Sequence, residues 1–452
     1  MTSTATHPDH PWAQPNPHAA LCYVHPAALT PYANNARTHS DAQIKQIAQS
    51  IKRFGFTNPV LVSDDGEIIA GHGRVRAALA LGLSEVPTLT LSHLTEAERR
   101  AYVIADNKLA ENAGWDADIL SIELQALAEI DFDLELTGFS LGEIEVVLDG
   151  TAQAQPDPAL NKVADPAPGP AVTQRGDLWH LGAHRLLCGD TSAASDMTRL
   201  MGDDRAALIF TDPPYNVKID GNVTGLGRQK HREFAVASGE MSGEAFTAFL
   251  TSTLSNMASV AVDGAIAYVC MDWRHMQDLL VAGETAFTEL KNLCVWNKTN
   301  AGMGSFYRSK HELVFVFKIG TAAHINSFGL GESGRYRTNV WDYAGANVLR
   351  AARDEALGMH PTVKPVELIV DALKDCSRRG SIVLDGFGGA GSTLIAAESC
   401  GRKARLLEID PLYCDTIIRR YIALTGDRDV RNADGACFGD RARAAQRADL
   451  NQ

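Results

Sequence analysis

The sequence predicts two unequal domains: a small α+β domain first, and then a larger α/β domain with a mostly parallel sheet. The chain has 452 residues, and a single hydrophobic core usually stops growing at ~250–300 residues. A stretch with five prolines and no hydrophobic periodicity interrupts it, which is typical of a linker. Glycine-rich turns join apolar strands to helices on both sides of this stretch, a pattern that indicates α/β architecture. We therefore predict an N-terminal domain with a helical extension over 21–150, a linker over 151–170, a second domain over 171–430 and a disordered tail over 431–452.

The composition is that of a globular protein. Hydrophobic residues make up 45% of the chain and charged residues 21%, which argues against a disordered or fibrous chain. The sequence has no apolar run of ~18 residues, and its N-terminus lacks the basic region followed by an apolar region that marks a secretory signal. We therefore expect a cytoplasmic protein without a membrane span. Its eight cysteines form no CxxC or CxxH spacing, so neither a zinc site nor a disulfide framework is predicted.

The net charge of −13 is concentrated in one region. Residues 61–150 contain 18 acidic and 5 basic side chains, so the rest of the chain is neutral overall. Basic residues cluster within 217–232 and within 298–353. Because a local basic patch can hold phosphates, the negative total does not exclude a nucleic-acid partner.

The first predicted helix has recognisable ends. Ser40 and Gln43 form a capping-box pattern, and Gly55 follows as a C-terminal cap. The apolar residues between them fall on one helical face; they are Ile44, Ile47, Ile51 and Phe54.

A predicted hairpin over 59–70 runs into a glycine turn that opens a second helix. Gly71 and Gly73 leave backbone N–H groups free at the helix N-terminus, and Arg74 and Arg76 add positive charge. This combination predicts an anion site. The alternative is a tight turn with two surface arginines.

Residues 21–115, with the segment GHGRVRAA, resemble the N-terminal domain of ParB-type partition proteins, a fold shared with sulfiredoxin. In ParB proteins a Gly-x-x-Arg-x-x-Ala segment binds a nucleoside triphosphate, and here Gly71, Arg74 and Ala77 match it. Sulfiredoxins place a catalytic cysteine in this turn, where this chain has His72. The resemblance therefore implies CTP or a related triphosphate as ligand and argues against reductase chemistry.

The first candidate catalytic motif of the second domain follows an apolar strand that ends abruptly. The run AALIFT (206–211) is followed by Asp212, two prolines and Tyr215. Two successive prolines cannot continue a strand, so the polar residues are expected at its carboxyl end, where open α/β sheets bind ligands. The alternative is a strand followed by a rigid turn.

A second strand, ending at Asp385, enters a loop with four glycines before a helix. The loop lacks Gly-Lys-Ser/Thr, which disfavours a phosphate-cradling P-loop. Seventeen residues beyond Gly391, another strand ends in Glu408 and Asp410, where a carboxylate would accept hydrogen bonds from ribose hydroxyls. A nicotinamide dehydrogenase has a similar unit, so this unit alone leaves the cofactor open.

The two motifs together resemble the S-adenosylmethionine-dependent DNA amino-methyltransferases. The Asp-Pro-Pro-Tyr motif precedes the cofactor loop, as in the beta group of that family, and the resemblance covers roughly 175–425. Three further landmarks agree, HRLLCGDT (184–191), WNKTNAGMGSFYRSKHELVFVF (296–317) and HPTVKP (360–365). The chain departs from the usual pattern at Gly386, where proline is usual, and at Ala390, where serine is usual. The resemblance implies a Rossmann-like methyltransferase domain with a mostly parallel seven-stranded sheet.

The resemblance also implies the site residues. The predicted catalytic residues are Asp212, Pro213, Pro214 and Tyr215. The predicted S-adenosylmethionine-binding residues are Asp190, Lys364, Asp385, Phe387, Gly389, Gly391, Thr393, Glu408 and Asp410. The predicted nucleotide site of the first domain comprises Gly71, Gly73, Arg74 and Arg76. No metal is predicted.

The chemistry explains the catalytic motif. The exocyclic amine of a base is a poor nucleophile, and Asp212 and the carbonyl of Pro213 would accept hydrogen bonds from it. Tyr215 would stack on a base flipped out of the duplex. The sequence has no Pro-Cys dipeptide, which excludes the cytosine-C5 class.

Aspartate at the first motif position is typical of N6-adenine enzymes, whereas N4-cytosine enzymes often carry serine. We therefore expect adenine as the target, with N4-cytosine as the alternative. Two rivals stay open: a nucleotide-gated ParB-like DNA-binding factor, and a methyltransferase acting on RNA or a protein amide.

The expected partner is double-stranded DNA, in a setting such as restriction–modification, and a homodimer is one option for assembly. Basic residues between the two motifs are candidates for reading guanine edges or phosphates. These are Lys298, Arg308, Lys310, Arg335, Arg337, Arg350 and Arg353.

Overall fold

The computed structural model describes residues 20–130, 132–149, 161, 170–217, 237, 239–299, 306–328, 336–344 and 363–449. The chain forms two compact units, Met1–Gly150 and Thr151–Gln452. Most of the segment predicted as a linker lies outside the described residues. Among the described helices, none is long and apolar enough to cross a membrane.

The first unit is a small α+β fold around a five-stranded mixed sheet. Its strands are β1 (Leu21–Val24), β2 (Thr30–Pro31), β3 (Val60–Val62), β4 (Glu67–Ala70) and β5 (Val86–Thr90), in the order β1-β5-β3-β4-β2. Its helices are α1 (Asp41–Phe54), α2 (His72–Ala80), α3 (Glu96–Glu111), α4 (Ala117–Glu129) and α5 (Leu141–Asp149). Val60, Ile68 and Val75 are buried in the core between sheet and helices.

Helix α1 begins and ends where predicted, but only the Ser40 half of the capping box forms. The Ser40 hydroxyl accepts a hydrogen bond from the backbone N–H of Gln43 at 3.2 Å, and Gly55 ends the helix at φ +81°. The Gln43 side chain contacts His39 at 2.9 Å. The prediction of an apolar face is wrong at its last position, because Phe54 is 52% exposed.

The second unit contains a ten-stranded sheet with helices around it. The strands are β6 (Leu178–Leu181), β7 (His184–Cys188), β8 (Ala206–Thr211), β9 (Ala261–Met271), β10 (Glu289–Lys298), β11 (His311–Lys318), β12 (Val340–Tyr343), β13 (Ile382–Asp385), β14 (Lys403–Glu408) and β15 (Arg431–Asn432). The helices are α6 (Ala194–Met201), α7 (Gly243–Ser259), α8 (Met276–Ala286), α9 (Val366–Cys376), α10 (Ser392–Ser399), α11 (Pro411–Thr425) and α12 (Phe438–Asp449).

The strand order places the predicted motifs at one edge of this sheet. The order is β12-β10-β11-β9-β8-β13-β14-β7-β6-β15, and β9, β8, β13, β14 and β7 are mutually parallel. Strands β8 and β13 are almost entirely buried apolar runs, as expected of strands covered on both faces. The carboxyl ends of β8, β13 and β14 therefore lie side by side, which is where Asp212, Asp385 and Glu408 stand.

The predicted strand count of seven is wrong, because three short strands extend the sheet at its edges. The seven central strands run from β10 to β7, and β12, β6 and β15 add to them. These three strands have only two to four residues each, too few to give a clear hydrophobic alternation in the sequence.

The expectation of a disordered tail over 431–452 also differs from the structure, in which residues 431–449 contain β15 and α12. Phe438 is 4% exposed and packs edge-on against Trp179, with ring centroids 5.6 Å apart. Arg441 forms an ion pair with Asp177 at 2.8 Å. One buried aromatic ring and one ion pair anchor a helix whose alanine- and arginine-rich composition offers no broad apolar stripe.

Candidate active site

The turn after β8 holds the catalytic motif in a fixed backbone conformation. Pro213 is buried, and Asn216 adopts a left-handed φ of +52°. The Asn216 amide donates to the carbonyl of Met241 at 2.9 Å, and its oxygen accepts the N–H groups of Gly239 and Met241. Asparagine tolerates this backbone region better than most residues. The sequence analysis did not identify Asn216.

Two carboxylates, two ammonium groups and a phenol form one network around Asp212. Lys364 Nζ lies 2.6 Å from Asp212 Oδ2 and 2.6 Å from Glu312 Oε1. The Tyr215 hydroxyl donates to Asp212 Oδ1 at 2.6 Å, also contacts Glu312, and accepts from Lys364 at 3.1 Å. Lys298 Nζ lies 2.6 Å from Glu312 Oε2.

The network is largely buried, and burial opposes the charges that it contains. Burial raises the pKa of Glu312, but Lys364 and Lys298 outweigh it and hold this pKa well below the usual range. Burial lowers the pKa of Lys364, but Asp212 and Glu312 outweigh it and the net shift is upward. Glu312 and Lys364 are therefore both charged near neutral pH.

Asp212 is the more accessible of the two carboxylates in the network. Its side chain is 27% exposed, against 6% for Lys364 and 10% for Glu312. Burial and the nearby charge of Glu312 raise the pKa of Asp212, although Lys364 acts in the opposite direction. Lys364 and Tyr215 hold the Asp212 carboxylate on its buried side, and part of the carboxylate stays exposed. The exposed part is suited to accepting hydrogen bonds from a ligand amine.

The structure places Lys364 in this network, whereas the sequence analysis grouped it with the cofactor residues. Its ammonium group is engaged by Asp212 and Glu312, and a direct cofactor contact by Lys364 stays a prediction. Glu312 was missed because it is the second residue of β11, and no sequence spacing connects it to Asp212.

Asp385 ties the cofactor loop to the catalytic strand. Its carboxylate accepts hydrogen bonds from the hydroxyl of Thr211 at 2.9 Å, the hydroxyl of Thr393 at 2.6 Å and the N–H of Phe387 at 3.0 Å. Burial raises the pKa of Asp385 to about 7. Because Thr211 immediately precedes Asp212, one carboxylate holds the start of the loop, the helix after it and the catalytic turn together.

Glu408 occupies the end of the neighbouring strand. Its carboxylate accepts the N–H of Gly389 at 2.7 Å and the N–H of Asp410 at 2.8 Å. Burial raises the pKa of Glu408 to about 7. The Asp410 side chain instead caps helix α11, accepting from the N–H of Leu412 at 2.9 Å.

The glycines of the loop serve two different purposes. A Cβ atom at Gly391, which has φ +83°, would lie 2.9 Å from Ile417, so packing requires glycine there. A Cβ atom at Gly386 would lie 2.7 Å from Thr191, which accounts for the absence of the usual proline. At Gly389 the nearest atom would be 3.9 Å away. That open space fits a ligand that approaches the loop backbone.

Two other predicted cofactor residues also lie along this edge. Asp190 follows β7, the neighbour of β14; it accepts the N–H and hydroxyl of Ser192 at 2.9 and 2.7 Å. The Phe387 ring is half-buried, with its centroid 6.0 Å from that of Phe249. The chemistry of these residues therefore fits S-adenosylmethionine. The carboxylates can accept hydrogen bonds from its ribose hydroxyls, the aromatic surface suits its adenine base, and Gly389 leaves space beside the loop backbone.

In the first unit, the side chain of Arg74 lies over the glycine turn, whereas that of Arg76 points away from it. Gly71 begins α2 at φ +107°, and Arg74 folds back so that a Cβ at Gly71 would lie 3.0 Å from its guanidinium. Arg74 donates to the carbonyl of Asn58 at 2.9 Å. Arg76 instead donates to the carbonyl of His39 at 3.0 Å. Gly73 is a packing glycine, because a Cβ there would meet Ile47 and His39.

The candidate DNA-contacting residues fall into three groups. Arg337 is partly buried, and its guanidinium already forms ion pairs with Asp375 at 2.9 Å and Asp371 at 3.4 Å. Lys298 pairs with Glu312, as described above. Arg308 and Lys310 are exposed. Outside the described residues lie Arg335, Arg350, Arg353 and the basic residues of the 217–232 cluster, Lys218, Arg228, Lys230 and Arg232.

Comparison with protein families gives three matches along the chain. Residues 13–107 match the ParB N-terminal domain, residues 118–175 the ParB-methyltransferase HTH domain, and residues 206–419 the DNA methylase family. The middle match covers α4 and α5 and continues into the segment predicted as a linker. The sequence analysis interpreted this region as a helical extension and did not identify a helix-turn-helix.

Individual relatives match either half of the chain. The ParB-like nuclease domain-containing protein YnaK of Escherichia coli is 57% identical over 72 residues, which are 16% of this chain and 83% of YnaK. The type II methyltransferase M.HinfI of Haemophilus influenzae is 23% identical over 231 residues, 47% of this chain and 62% of that protein. The solved PvuII DNA methyltransferase (cytosine-N4-specific) is 13% identical, with 62% of this chain and 95% of that chain covered and a TM-score of 0.41.

The methylase match spans both the Asp212 network and the cofactor loop, and the ParB match spans the Gly71 turn. The chain therefore carries a DNA methylase domain of the N6/N4 type over 206–419 and a ParB-type domain at its N-terminal end.

Proposed function

We propose that this DNA methylase transfers a methyl group from S-adenosylmethionine to the N6 amine of adenine in double-stranded DNA. The observation that carries the proposal is the Asp212 carboxylate, held from behind by Lys364 and Tyr215 and open in front. Aspartate at this motif position favours adenine over cytosine. N4-cytosine is the second candidate, because its amine presents the same two hydrogens to the site.

In this mechanism the chain orients the amine and accepts its hydrogen bonds. When bound, S-adenosylmethionine supplies an electrophilic methyl group. Asp212 and the carbonyl of Pro213 would accept the two amine hydrogens, which favours a pyramidal nitrogen with its lone pair directed at the methyl group. The buried Lys364 fixes the Asp212 carboxylate, and the ring of Tyr215 is available to stack on a flipped base.

The hydrogen bonds of the cofactor loop support S-adenosylmethionine over a nicotinamide dinucleotide. A dinucleotide site uses free backbone N–H groups to bind a pyrophosphate. Here the N–H of Phe387 is taken by Asp385, and the N–H of Gly389 by Glu408. These carboxylates would also repel a phosphate, whereas they suit ribose hydroxyls and a sulfonium cation, and Glu408 is the proposed ribose ligand.

We propose further that the Gly71 turn binds the phosphates of CTP or a related triphosphate. Arg74 supports this, since it lies over the turn and its guanidinium donates to a backbone carbonyl within the described part of the chain. Burial lowers the pKa of Arg74, yet an arginine remains charged at neutral pH.

The test of the methylation proposal is the identity of the methylated base. We expect DNA from a methylation-free host that expresses the chain to contain N6-methyladenine when its nucleosides are separated by mass spectrometry. Asp212→Ala should reduce transfer by about 100-fold or more, because it removes an interaction made with the reacting amine. Cofactor binding by calorimetry should stay close to that of the parent chain.

Other outcomes of this test would point elsewhere. N4-methylcytosine would establish the second candidate. Near-parental transfer by Asp212→Ala would show that the active site lies elsewhere. Absence of any methylated base, with nucleotide-dependent DNA binding retained, would favour the partition-factor alternative; methylated RNA or protein would favour the remaining one.

A further inference from the structure

Glu312 lies at the centre of the active-site ion pairs, although it belongs to no part of the catalytic motif. Each of its two oxygens contacts a different ammonium group at 2.6 Å, Oε1 that of Lys364 and Oε2 that of Lys298. A buried carboxylate between two cations stays ionised. Glu312 is therefore a permanent negative charge next to Asp212.

The two carboxylates share the same two donor groups. The Tyr215 hydroxyl has one proton, and it lies within hydrogen-bond distance of both Asp212 and Glu312. Lys364 has three N–H groups and donates to both carboxylates at once. The carboxylates therefore compete only for the Tyr215 proton, and when Glu312 takes it Asp212 Oδ1 is freer to accept from a ligand.

We propose that Glu312 is a positioning residue for methyl transfer, which keeps Asp212 a strong hydrogen-bond acceptor by sharing Lys364 and Tyr215 with it. Glu312 would act through these two side chains and through its charge, without touching the base or the cofactor. The inference rests on the proposed function to the extent that Asp212 is the group that accepts from the target amine.

The charges around Asp212 have opposing effects. Burial raises the pKa of Asp212, Lys364 lowers it, and Glu312 raises it. Removing the negative charge of Glu312 must therefore lower this pKa, and removing a cation must raise it. Among the described residues, the titratable groups near Asp212 come from its own turn, from β9, β10, β11 and β13, and from the segment before α9; they are Tyr215, Cys270, Lys298, Glu312, Asp385 and Lys364.

The test is the pH dependence of single-turnover DNA methylation by the full chain. We expect Glu312→Gln to move the acid limb of the profile to lower pH, by on the order of one unit. The plateau rate should fall roughly tenfold, since Asp212 becomes a weaker acceptor. Glu312→Asp, which keeps the charge, should restore the position of the parental limb.

A second variant predicts a shift in the opposite direction. Lys298 is 29% exposed, contacts the far oxygen of Glu312 and lies over the ring of Trp296 at 4.4 Å; methionine can keep the ring contact, so Lys298→Met is expected to fold. Losing this cation draws Lys364 toward Glu312 and should move the acid limb to higher pH. As a matched control, Asp375→Asn removes a buried carboxylate paired with Arg337; it should lower thermal stability and leave the limb in place.

Carboxyl-¹³C NMR of aspartate-labelled chain gives a readout that does not depend on activity. The Asp212 resonance, assigned by its loss in Asp212→Asn, should titrate at lower pH in Glu312→Gln and at higher pH in Lys298→Met. If the parent chain methylates nothing, the proposed function fails, and this titration still tests the inference. An unchanged Asp212 titration in both variants, or shifts of the same sign, would overturn it.

Discussion

The two glycine turns of this chain both place a left-handed glycine before a helix, and they carry opposite charge. In the first unit β4 leads to Gly71, which begins α2 at φ +107°; in the second β13 leads to Gly391, which begins α10 at φ +83°. Neither glycine provides a side-chain cap for its helix. The first turn carries Arg74, whereas the second is bordered by Asp385 and Glu408.

The comparison shows how side chains decide which ligand a helix N-terminus accepts. Free backbone N–H groups at such a terminus attract anions. In the second turn, Asp385 and Glu408 already satisfy the N–H groups of Phe387 and Gly389, in the way that a phosphate would. That turn is therefore left with acceptor oxygens, which suit hydroxyl donors and a cation. The first turn has a guanidinium in the corresponding position, which suits a phosphate.

The largest expected effect comes from substituting Gly389, the glycine of the second turn that has open space beside it. Gly389→Val should weaken S-adenosylmethionine binding on the order of 100-fold, or about 2.7 kcal/mol, because the side chain fills the space beside the loop backbone. Since Gly389 has φ +48°, valine should also lower the unfolding free energy, so affinity is measured on the folded protein. The matched control is Gly391→Ala, whose methyl group would meet Ile417 at 2.9 Å. It should cost about 1–3 kcal/mol of unfolding free energy with little loss of affinity in the folded protein.

Calorimetry with S-adenosylmethionine and with NADH, together with thermal unfolding, separates these effects. Equal loss of affinity in both variants would mean that the two glycines do not differ in role. Binding of NADH in place of S-adenosylmethionine would reverse the interpretation of the acidic turn.

The next largest effect concerns the basic turn. Arg74→Ala should weaken triphosphate binding by the full chain roughly tenfold or more, because a charge-assisted hydrogen bond is lost. Arg76→Ala is the matched control, since Arg76 is directed toward His39 and Asp41 and should have a smaller effect. Neither variant should change the DNA methylation rate measured without nucleotide.

Titration with the four ribonucleoside triphosphates measures this difference. The turn would not be a nucleotide site if the parent chain bound none of them, and equal loss in both variants would remove the distinction drawn between the two arginines.

The sequence predicts those parts of the two turns that depend on local chain geometry. Glycines, strand ends and the Asp-Pro-Pro-Tyr motif follow from residue type and spacing, and so did the ends of α1. The role of Glu312 and the ion pairs of Arg337 do not follow from residue type and spacing. Each depends on partners that non-adjacent strands and helices bring close. Helix α12 was missed for a similar reason. Its Phe438 packs against Trp179, which is distant in sequence.

The smallest expected effect sharpens the comparison through pH. Burial raises the pKa of Glu408 to about 7 from a usual 4.5, so the folded protein binds more protons than the unfolded chain between these values. Its unfolding free energy should therefore fall as pH rises from about 4.5 to 7. Cofactor affinity should change in the opposite direction, because the ionised carboxylate accepts ribose hydroxyls better.

We expect S-adenosylmethionine affinity to rise up to about tenfold between pH 6 and pH 8, the change in the ionised fraction of a group with a pKa near 7. Glu408→Gln should bind more weakly and lose most of this dependence, keeping the part due to Asp385, whose pKa burial also raises to about 7. Calorimetry at pH 6, 7 and 8 measures both chains. Glu408→Gln, which cannot ionise at this position, provides the reference for the parent chain. If the two chains showed the same pH dependence of affinity, Glu408 would only hold the loop and would not be a ribose ligand.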